Sequence, residues 1–306
     1  MTDWKRPQHC STYIGIFPVV CCPAPRSEVV CQIYHPPEEA CVQTEIYGGE
    51  KTTIKEFPHM AALGYGKKPN IDWFCGGSLI SEQFILTAAH CINPAKYGSV
   101  KYVRLGDTDI DSTKDDKEFD SQPQFFTVAE TFVHPEYKPS SNYHDIALVK
   151  LDRTARFDIY VKPACLHTEV IVPHEMIITG YGKVDLYGSL SSHLLKANLF
   201  YVNHTTCAMR YSSPHAKRRL ARGISSDSQV CAGHPEGQDT CPGDSGGPLQ
   251  YKLYDIPHYR IVGVTSFGLG CGVANSVAVY TKVANYRKWI EDIVWPAGTF
   301  SVDQML

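Results

Sequence analysis

The sequence of 306 residues lacks any apolar run as long as the roughly 18 residues that a membrane-spanning helix needs. It also lacks a strong excess of charge, because 29 Lys and Arg residues nearly balance 32 Asp and Glu residues. No pair of closely spaced cysteines is matched by a second pair or by neighbouring histidines, as structural zinc sites require. We therefore expect no membrane association, no nucleic-acid partner and no bound metal.

Twelve cysteines are present, and this number indicates an oxidising compartment with disulfide bonds. The first residues, Met1 to Lys5, contain no apolar segment of the kind that a secretory signal peptide has. We nevertheless predict a secreted, extracellular protein, and we expect its natural N-terminus to lie upstream of this sequence.

Three motifs that carry chemistry are widely separated in the chain. They are TAAHC at residues 87–91, HDIALVKL at residues 144–151 and DTCPGDSGGP at residues 239–248. Ser245 is the candidate nucleophile, His90 the general base and Asp145 the group that orients the imidazole. A serine hydroxyl is a weak nucleophile until a neighbouring base takes its proton, so the three residue types form one functional unit.

Glycines surround the candidate nucleophile in this last motif. They allow the backbone to turn tightly, which can direct the amides of Gly243 and Ser245 towards the oxyanion that develops during acyl transfer. The sequence therefore predicts an oxyanion hole next to the nucleophile.

The three motifs, in the order His, Asp, Ser, resemble those of the chymotrypsin-type serine proteases, from about Ile46 to the region of Trp295. The resemblance implies an all-β fold of two six-stranded antiparallel β-barrels. The runs FPHMAALGY, FCGGSLI, FILTAAH, YVRLG, ALVKL, MIITGYG, RIVGVTSFG and AVYTKV have strand composition and fit this fold. VANYRKWIEDIV has apolar residues at helical spacing and predicts a C-terminal helix.

The family pattern also implies disulfide bonds, namely Cys75–Cys91, Cys207–Cys231 and Cys241–Cys271. Cys165 resembles the family cysteine that ties the protease domain to its propeptide. Either Cys31 or Cys41 could be its partner. We favour Cys41, because it lies closer in sequence to the domain that it would tether.

The first part of the chain resembles the end of an arthropod clip domain, which closes with a cysteine, about ten residues and an adjacent cysteine pair. Here these are Cys10, Cys21 and Cys22. The expected organisation is a partial clip-like segment at residues 1–23, a linker or propeptide at 24–45 that is rich in Pro and Glu, the protease domain at 46–299 and a tail at 300–306.

The sequence IYGGE, which begins at Ile46, resembles the start of an activated family member. Cleavage before this residue would free an ammonium group that pairs with Asp244. A buried carboxylate without a partner is unfavourable, so the site would be disordered before cleavage. Glu45 precedes the cleavage site where many family members have Arg or Lys. Proteases of the snake type, which the linker resembles, also have non-basic residues there.

Asp239 stands where trypsin-like members have the acidic floor of the substrate pocket, which implies cleavage after Arg or Lys. Thr240 adds a hydroxyl beside it. Ser266 and Gly268 belong to the segment that resembles the substrate-pairing strand. Ala278 stands where the family has a glycine, and its methyl group narrows the expected pocket.

Several weaker features of the sequence have a functional and a non-functional interpretation. An acidic loop could bind calcium but is better interpreted as solvated; it contains Asp107, Asp109, Asp111, Asp115, Asp116, Glu118 and Asp120. A basic cluster is either solvated or a contact for an acidic partner; it contains Lys217, Arg218, Arg219 and Arg222. Asn203 begins a glycosylation sequon.

The leading hypothesis is a serine endopeptidase zymogen that cleaves another protease zymogen in an extracellular cascade of immunity, melanisation or development. An upstream protease would activate it, and a serpin could inhibit it. We expect no cofactor. The alternatives are a non-catalytic clip-domain homologue that acts as a binding cofactor and a digestive protease. The clip-like leader and the tethering cysteine argue against the digestive protease.

Overall fold

The computed structural model describes residues 24–35, 50–112, 122–183, 189–237, 240–253, 258–270, 273 and 275–298. Several residues singled out above lie outside these ranges. They are Cys10, Cys21, Cys22, Cys41, Glu45, Ile46, Asp115, Asp116, Glu118, Asp120, Asp239 and Cys271.

The first half of the protease-like region forms a closed six-stranded antiparallel barrel in the order β2-β3-β4-β7-β6-β5. Its strands are β2 Met60–Lys67, β3 Asn70–Leu79, β4 Phe84–Thr87, β5 Tyr102–Leu105, β6 Gln124–Val133 and β7 Ala147–Leu151. Leu63, Leu86 and Leu148 are fully buried in its interior. Burial alternates along β5, as expected for a strand with one face on the core.

The second half forms another closed barrel, because β9 pairs with both β10 and β12. Its strands are β9 Glu175–Gly180, β10 Leu195–Val202, β11 Gln229–Gly233, β12 Pro248–Tyr251, β13 Arg260–Gly268 and β14 Val277–Lys282. Two short strands extend this sheet, β1 Glu50–Lys51 on β10 and β8 Cys165–Leu166 parallel to β13. The predicted fold of two six-stranded barrels is confirmed.

Four helices accompany the barrels in the described part of the chain: α1 Arg26–Tyr34, α2 His204–Arg210, α3 Pro214–Arg219 and α4 Val283–Val294. Helix α4 is the predicted C-terminal helix. It buries Val283, Tyr286 and Ile290 on the apolar face that the sequence indicated. Among the described residues, the helices are too short or too polar to cross a membrane.

Helix α1 lies in the first part of the segment at residues 24–45 that we predicted to be a linker or propeptide. Val30 and Cys31 are buried against the protease-like region. The carboxylate of Glu28 accepts hydrogen bonds of 2.7 Å from both terminal nitrogens of Arg260. Composition alone indicated a linker, but this docking buries apolar surface and pairs charges that an isolated segment would leave in water.

The side chains of α1 also meet the C-terminal helix. The hydroxyl of Ser27 donates a hydrogen bond of 2.7 Å to the carboxylate of Glu291, which is itself 4% exposed. Arg26 forms an ion pair with Asp292. Two helices from opposite ends of the described chain therefore hold one another on the same face of the molecule.

Cys165 is disulfide-bonded to Cys31, not to Cys41 as we expected. The docked α1 brings the Cα atom of Cys31 to 5.3 Å from that of Cys165, a separation that a disulfide can bridge. Closeness in sequence was the wrong criterion, because the helix folds back onto β8.

The other implied disulfides agree with the structure as far as it describes them. Cys75 is bonded to Cys91, and Cys207 is bonded to Cys231. Cys241 is also in a disulfide, and its predicted partner Cys271 lies outside the described residues.

We predict that Cys31→Ser removes the covalent tether and lowers the free energy of unfolding by about 2–4 kcal/mol, because the bond closes a long loop in the unfolded chain. The control Cys41→Ser should keep the tether. Non-reducing peptide mapping and urea unfolding measure the two effects. A cross-linked peptide that joins Cys41 to Cys165 would contradict the pairing.

Candidate active site

His90 lies in a short 3-10 turn, Ala89–Cys91, that directly follows β4. The turn is fixed from both sides, because β4 is part of the barrel and Cys91 is bonded to Cys75 on β3. The His90 side chain is 28% exposed, so one edge of the ring faces solvent. A fixed turn of this kind holds the imidazole in place and leaves it accessible to a substrate.

Asp145 lies under this ring, and its side chain is 6% exposed. One carboxylate oxygen is 2.8 Å from Nδ1 of His90, and the other accepts a hydrogen bond of 3.0 Å from the His90 backbone amide. With Nδ1 donating to the carboxylate, Nε2 is left as the proton acceptor. The arrangement therefore makes His90 suitable as a general base.

Two further contacts to Asp145 come from the second barrel. The hydroxyl of Ser266 donates to the same carboxylate oxygen as Nδ1, and Thr281 donates to the backbone carbonyl of Asp145 over 2.8 Å. Sequence reasoning assigned Ser266 only to substrate pairing and did not single out Thr281. The resemblance marked the segment at Ser266 but did not reveal that this hydroxyl faces inward.

The electrostatics of the pair favour one protonation pattern. Burial disfavours a charged His90 ring, but the Asp145 carboxylate more than offsets this, so the pKa of His90 lies above its usual value. Burial likewise acts against ionisation of Asp145, but the His90 ring and the Ser266 hydroxyl outweigh it, so the pKa of Asp145 lies below its usual value. At neutral pH the site therefore contains an ionised carboxylate and an unusually basic imidazole.

Ser245 lies in the loop before β12, and this loop packs on the strands that lead to His90. Its carbonyl accepts a hydrogen bond of 2.8 Å from the amide of Gly76, the residue after Cys75. Gly246 has a φ of +78°, and a Cβ atom there would lie 2.2 Å from Oγ1 of Thr87. The loop therefore packs directly on the end of β4, three residues before His90.

Gly243 supports the predicted oxyanion hole, because its φ of +110° strongly favours glycine. In the described part of the chain, no acceptor binds the amides of Gly243 and Ser245. Both remain available to donate to an oxyanion.

Asp244, the predicted partner of the activating ammonium, is hydrogen-bonded to two backbone amides. Its carboxylate accepts from Gly182 and from Cys241, each over 2.8 Å. A Cβ atom at position 182 would lie 2.4 Å from these carboxylate oxygens. Only glycine, which has no side chain, therefore allows this loop to come so close to Asp244. Ile46 lies outside the described residues.

The described walls of the predicted pocket face one another. Ala278 is opposite Gly268 in the pairing of β13 with β14. A Cβ atom at position 268 would lie 3.7 Å from the methyl of Ala278 and 4.0 Å from the hydroxyl of Thr240. Gly268 thus leaves open the space between these two residues, and Ala278 is fully buried. Asp239, the predicted floor, lies outside the described residues.

Two carboxylates of the acidic loop, those of Asp107 and Asp109, already have partners within the loop. Asp107 forms an ion pair with Arg104 and accepts from the amide of Asp109 over 2.9 Å. Asp109 in turn accepts from the amide of Asp111 over 3.3 Å. These contacts fit a loop that is held together by its own carboxylates.

Two groups of cysteine and histidine in the described residues are compact enough to share a metal ion. They are Cys31 with Cys165 and His258, and Cys75 with His90 and Cys91. In both groups the two cysteines are bonded to each other, so they offer no thiolate ligand.

The sequon residue Asn203 is exposed and is the N-cap of α2, where its side-chain oxygen accepts from the amide of Thr206 over 2.9 Å. His144 adjoins Asp145 in sequence, but its ring contacts the hydroxyl of Tyr286 and the carboxylate of Glu136. It therefore lies beside the site, in contact with α4.

Comparisons with known proteins agree with this architecture. The Trypsin family model matches residues 46–290. The chain is 37% identical to "Serine protease snk" of Drosophila melanogaster, over 93% of this chain and 70% of that protein. It is 36% identical to "Phenoloxidase-activating enzyme 1" of Spodoptera litura, over 91% and 72%. It is 35% identical to "CLIP domain-containing serine protease B4" of Anopheles gambiae, over 90% and 78%.

We predict that the pKa of His90, measured by NMR, lies above about 6.5, the usual value for histidine. Asp145→Asn should lower it, because the charge that favours the imidazolium is lost. Because the neutral ring is the base, labelling of the serine by a fluorophosphonate should increase as pH rises through this pKa, in a chain that has been cleaved before Ile46. The control Glu130→Gln removes an exposed carboxylate and should change neither quantity. Equal pKa values in wild type and Asp145→Asn would contradict the pairing.

Proposed function

Because the chain belongs to the trypsin family of serine proteases, we propose that it is a secreted endopeptidase zymogen that cleaves proteins after Arg or Lys. The observation that carries this proposal is the hydrogen-bonded His90–Asp145 pair, with the Ser245 loop packed on the end of β4, which leads to His90. No cofactor is needed for this chemistry.

In the proposed reaction, Ser245 attacks the scissile carbonyl while Nε2 of His90 takes its proton. Asp145 stabilises the imidazolium that forms, and the amides of Gly243 and Ser245 donate to the oxyanion. His90 then gives the proton to the leaving amine, which departs with the C-terminal part of the substrate. Water enters, His90 again acts as base, and the acyl-enzyme is hydrolysed to restore Ser245.

Activation is proposed to follow cleavage between Glu45 and Ile46. The new ammonium group would pair with Asp244. The Asp244 carboxylate also accepts hydrogen bonds from Gly182 and from Cys241, so the ion pair would be connected to the loop that carries Gly243 and Ser245. For the experiments below, residues 42–45 are replaced by Ile-Glu-Gly-Arg, so that a protease of known specificity cuts before Ile46. We refer to the product as the activated chain.

The relatives support a narrower proposal for the biological substrate. One of them is named as a phenoloxidase-activating enzyme and another as a CLIP domain-containing protease. We propose that this chain likewise has a partial clip-like segment at residues 1–23, and that it cleaves another protease zymogen in an extracellular cascade. An upstream protease would activate it, and a serpin is a candidate inhibitor.

A non-catalytic homologue that acts as a binding cofactor is the alternative of a different class. Ala278 and the non-basic Glu45 favour it, whereas the complete set of His90, Asp145 and Ser245 favours an enzyme. Titration of the activated chain with a fluorophosphonate separates the two, since only an enzyme would be labelled in proportion to its concentration.

We predict that Ser245→Ala in the activated chain lowers kcat for peptide hydrolysis at least about a thousandfold, because the nucleophile is lost. Adding His90→Ala should cost little more, since the residues act as a unit. The control Ser99→Ala removes an exposed hydroxyl and should leave kcat unchanged. Hydrolysis of a fluorogenic arginine peptide measures the effect, and a serine variant with a tenth of wild-type activity would exclude this nucleophile.

We predict that Asp239→Ser lowers kcat/KM for arginine substrates more than about a hundredfold, because the buried guanidinium loses its partner. Ala278→Gly should raise it modestly by widening the pocket. Asp227→Ser, which removes an exposed carboxylate, is the control. A peptide-library profile of the activated chain with aromatic, small or acidic residues at the cleaved position would refute the proposed specificity.

A further inference from the structure

Four cations lie close together at the end of α3, and we call them the basic patch: Lys217, Arg218, Arg219 and Arg222. All four are exposed. Within the described residues, none of them has a carboxylate within 4.0 Å. Six other arginines of the described chain do have one, namely Arg26, Arg104, Arg153, Arg156, Arg260 and Arg287. The patch is therefore a concentration of positive charge without internal neutralisation.

Local structure accounts for how the chain holds this charge. Helix α3 begins with Ser213 as N-cap and Pro214 at its first position. Its last turn then carries the basic residues, where the helix carbonyls favour cations. The helix is short, however, so this effect is weak and leaves most of the charge to solvent or to a partner.

The patch is fixed to the loop that leads to Asp145 by uncharged groups only. Arg219 donates to the side-chain oxygen of Asn142 over 2.8 Å and to the carbonyl of Pro139 over 2.9 Å. The guanidinium of Arg222 lies 4.9 Å from the centre of the Tyr143 ring. These contacts position the cations without satisfying their charge.

The segment just before α3 contacts the strand that is expected to pair with substrate. Tyr211, between α2 and α3, has its ring centre 5.4 Å from that of Phe267, which lies between Ser266 and Gly268. The charge of Arg219 also acts on His90, where it opposes the effect of Asp145 on the pKa of the ring. The basic patch therefore belongs to the rim of the candidate active site.

We propose that the basic patch binds acidic residues of a protein substrate that precede the cleaved bond. This inference rests on the proposed function. The cleaved residue would enter the pocket between Gly268 and Ala278, and the residues before it would continue along the Ser266–Gly268 segment towards the patch. Exposed cations on such a rim attract a segment of opposite charge and discriminate against a basic one.

The test uses fluorogenic peptides with Arg at the cleaved position and either Glu or Ala at the second, third and fourth positions before the bond. We expect the activated chain to cleave the Glu peptide with about tenfold higher kcat/KM at low salt. The preference should fall towards unity in about 1 M NaCl, because exposed charges are screened. Peptides with Glu after the bond should show no such preference.

The variant Lys217→Gln/Arg218→Gln/Arg222→Gln should lose the preference, while its hydrolysis of benzoyl-arginine ethyl ester, which has no preceding residues, stays at the wild-type rate. Arg219 is kept, because it fastens the loop before Asp145. The variant Lys217→Gln/Arg218→Gln keeps Arg222 and its contact with the Tyr143 ring. It should lose part of the preference for the Glu peptide. The control Lys67→Gln/Lys68→Gln/Lys101→Gln removes three exposed cations from the first barrel, as many as the triple patch variant removes. It should keep the preference for the Glu peptide.

The outcomes separate this inference from the proposed function. If the ester is hydrolysed but the Glu and Ala peptides are cleaved equally, the inference is overturned and the proposed function stands. If no arginine substrate is cleaved although Ser245 is labelled, the proposed specificity fails. If heparin binds through the patch while peptide acidity has no effect, the patch is a polyanion site and the inference is also overturned.

Discussion

The buried carboxylate of Asp145 is the contact on which the candidate site depends. It lies just before a strand of the first barrel and receives hydrogen bonds from His90 of that barrel and from Ser266 of the other. Thr281, also from the second barrel, binds its backbone carbonyl. An ionised group at this depth is stable only with such donors, so the two barrels must pack in this one arrangement to satisfy it.

The same logic applies at the opposite end of the chain. Helix α1 buries few apolar side chains, and Val30 and Cys31 are the ones that it buries fully. Its position is set instead by charge pairs, in particular Glu28 with Arg260, and by the disulfide to Cys165. A covalent bond and several polar contacts thus hold α1 on the protease-like region, as a larger apolar face would do alone. Because the disulfide is covalent, cleavage before Ile46 would leave α1 attached.

Much of the fold and of the site could be predicted from local sequence, for physical reasons that also explain the failures. The GDSGG motif is informative because Gly243 and Gly246 have positive φ angles, which restrict the residues that can occupy this turn. The TAAHC motif is informative because its cysteine can fix the turn that carries the histidine. The partner of Cys165 was mispredicted, because disulfide pairing depends on how α1 docks and not on sequence distance. The inward-facing hydroxyl of Ser266 was missed for the same reason. Its role depends on a carboxylate 121 positions away in the chain, and no local pattern encodes that proximity.

Substrate selection can be divided between the pocket and its rim, and the two differ in physical character. In the proposed pocket, Ala278 would discriminate over a few ångströms by shape and by desolvation, and its methyl group would reduce the space for a long side chain. The basic patch would act over about one Debye length, roughly 8 Å at physiological salt, without requiring an exact fit. A narrowed pocket would lower the contribution of the cleaved residue to substrate binding. Recognition of charge in the preceding residues would restore selectivity for a protein substrate. Small arginine esters have no preceding residues, so the patch would not affect their hydrolysis.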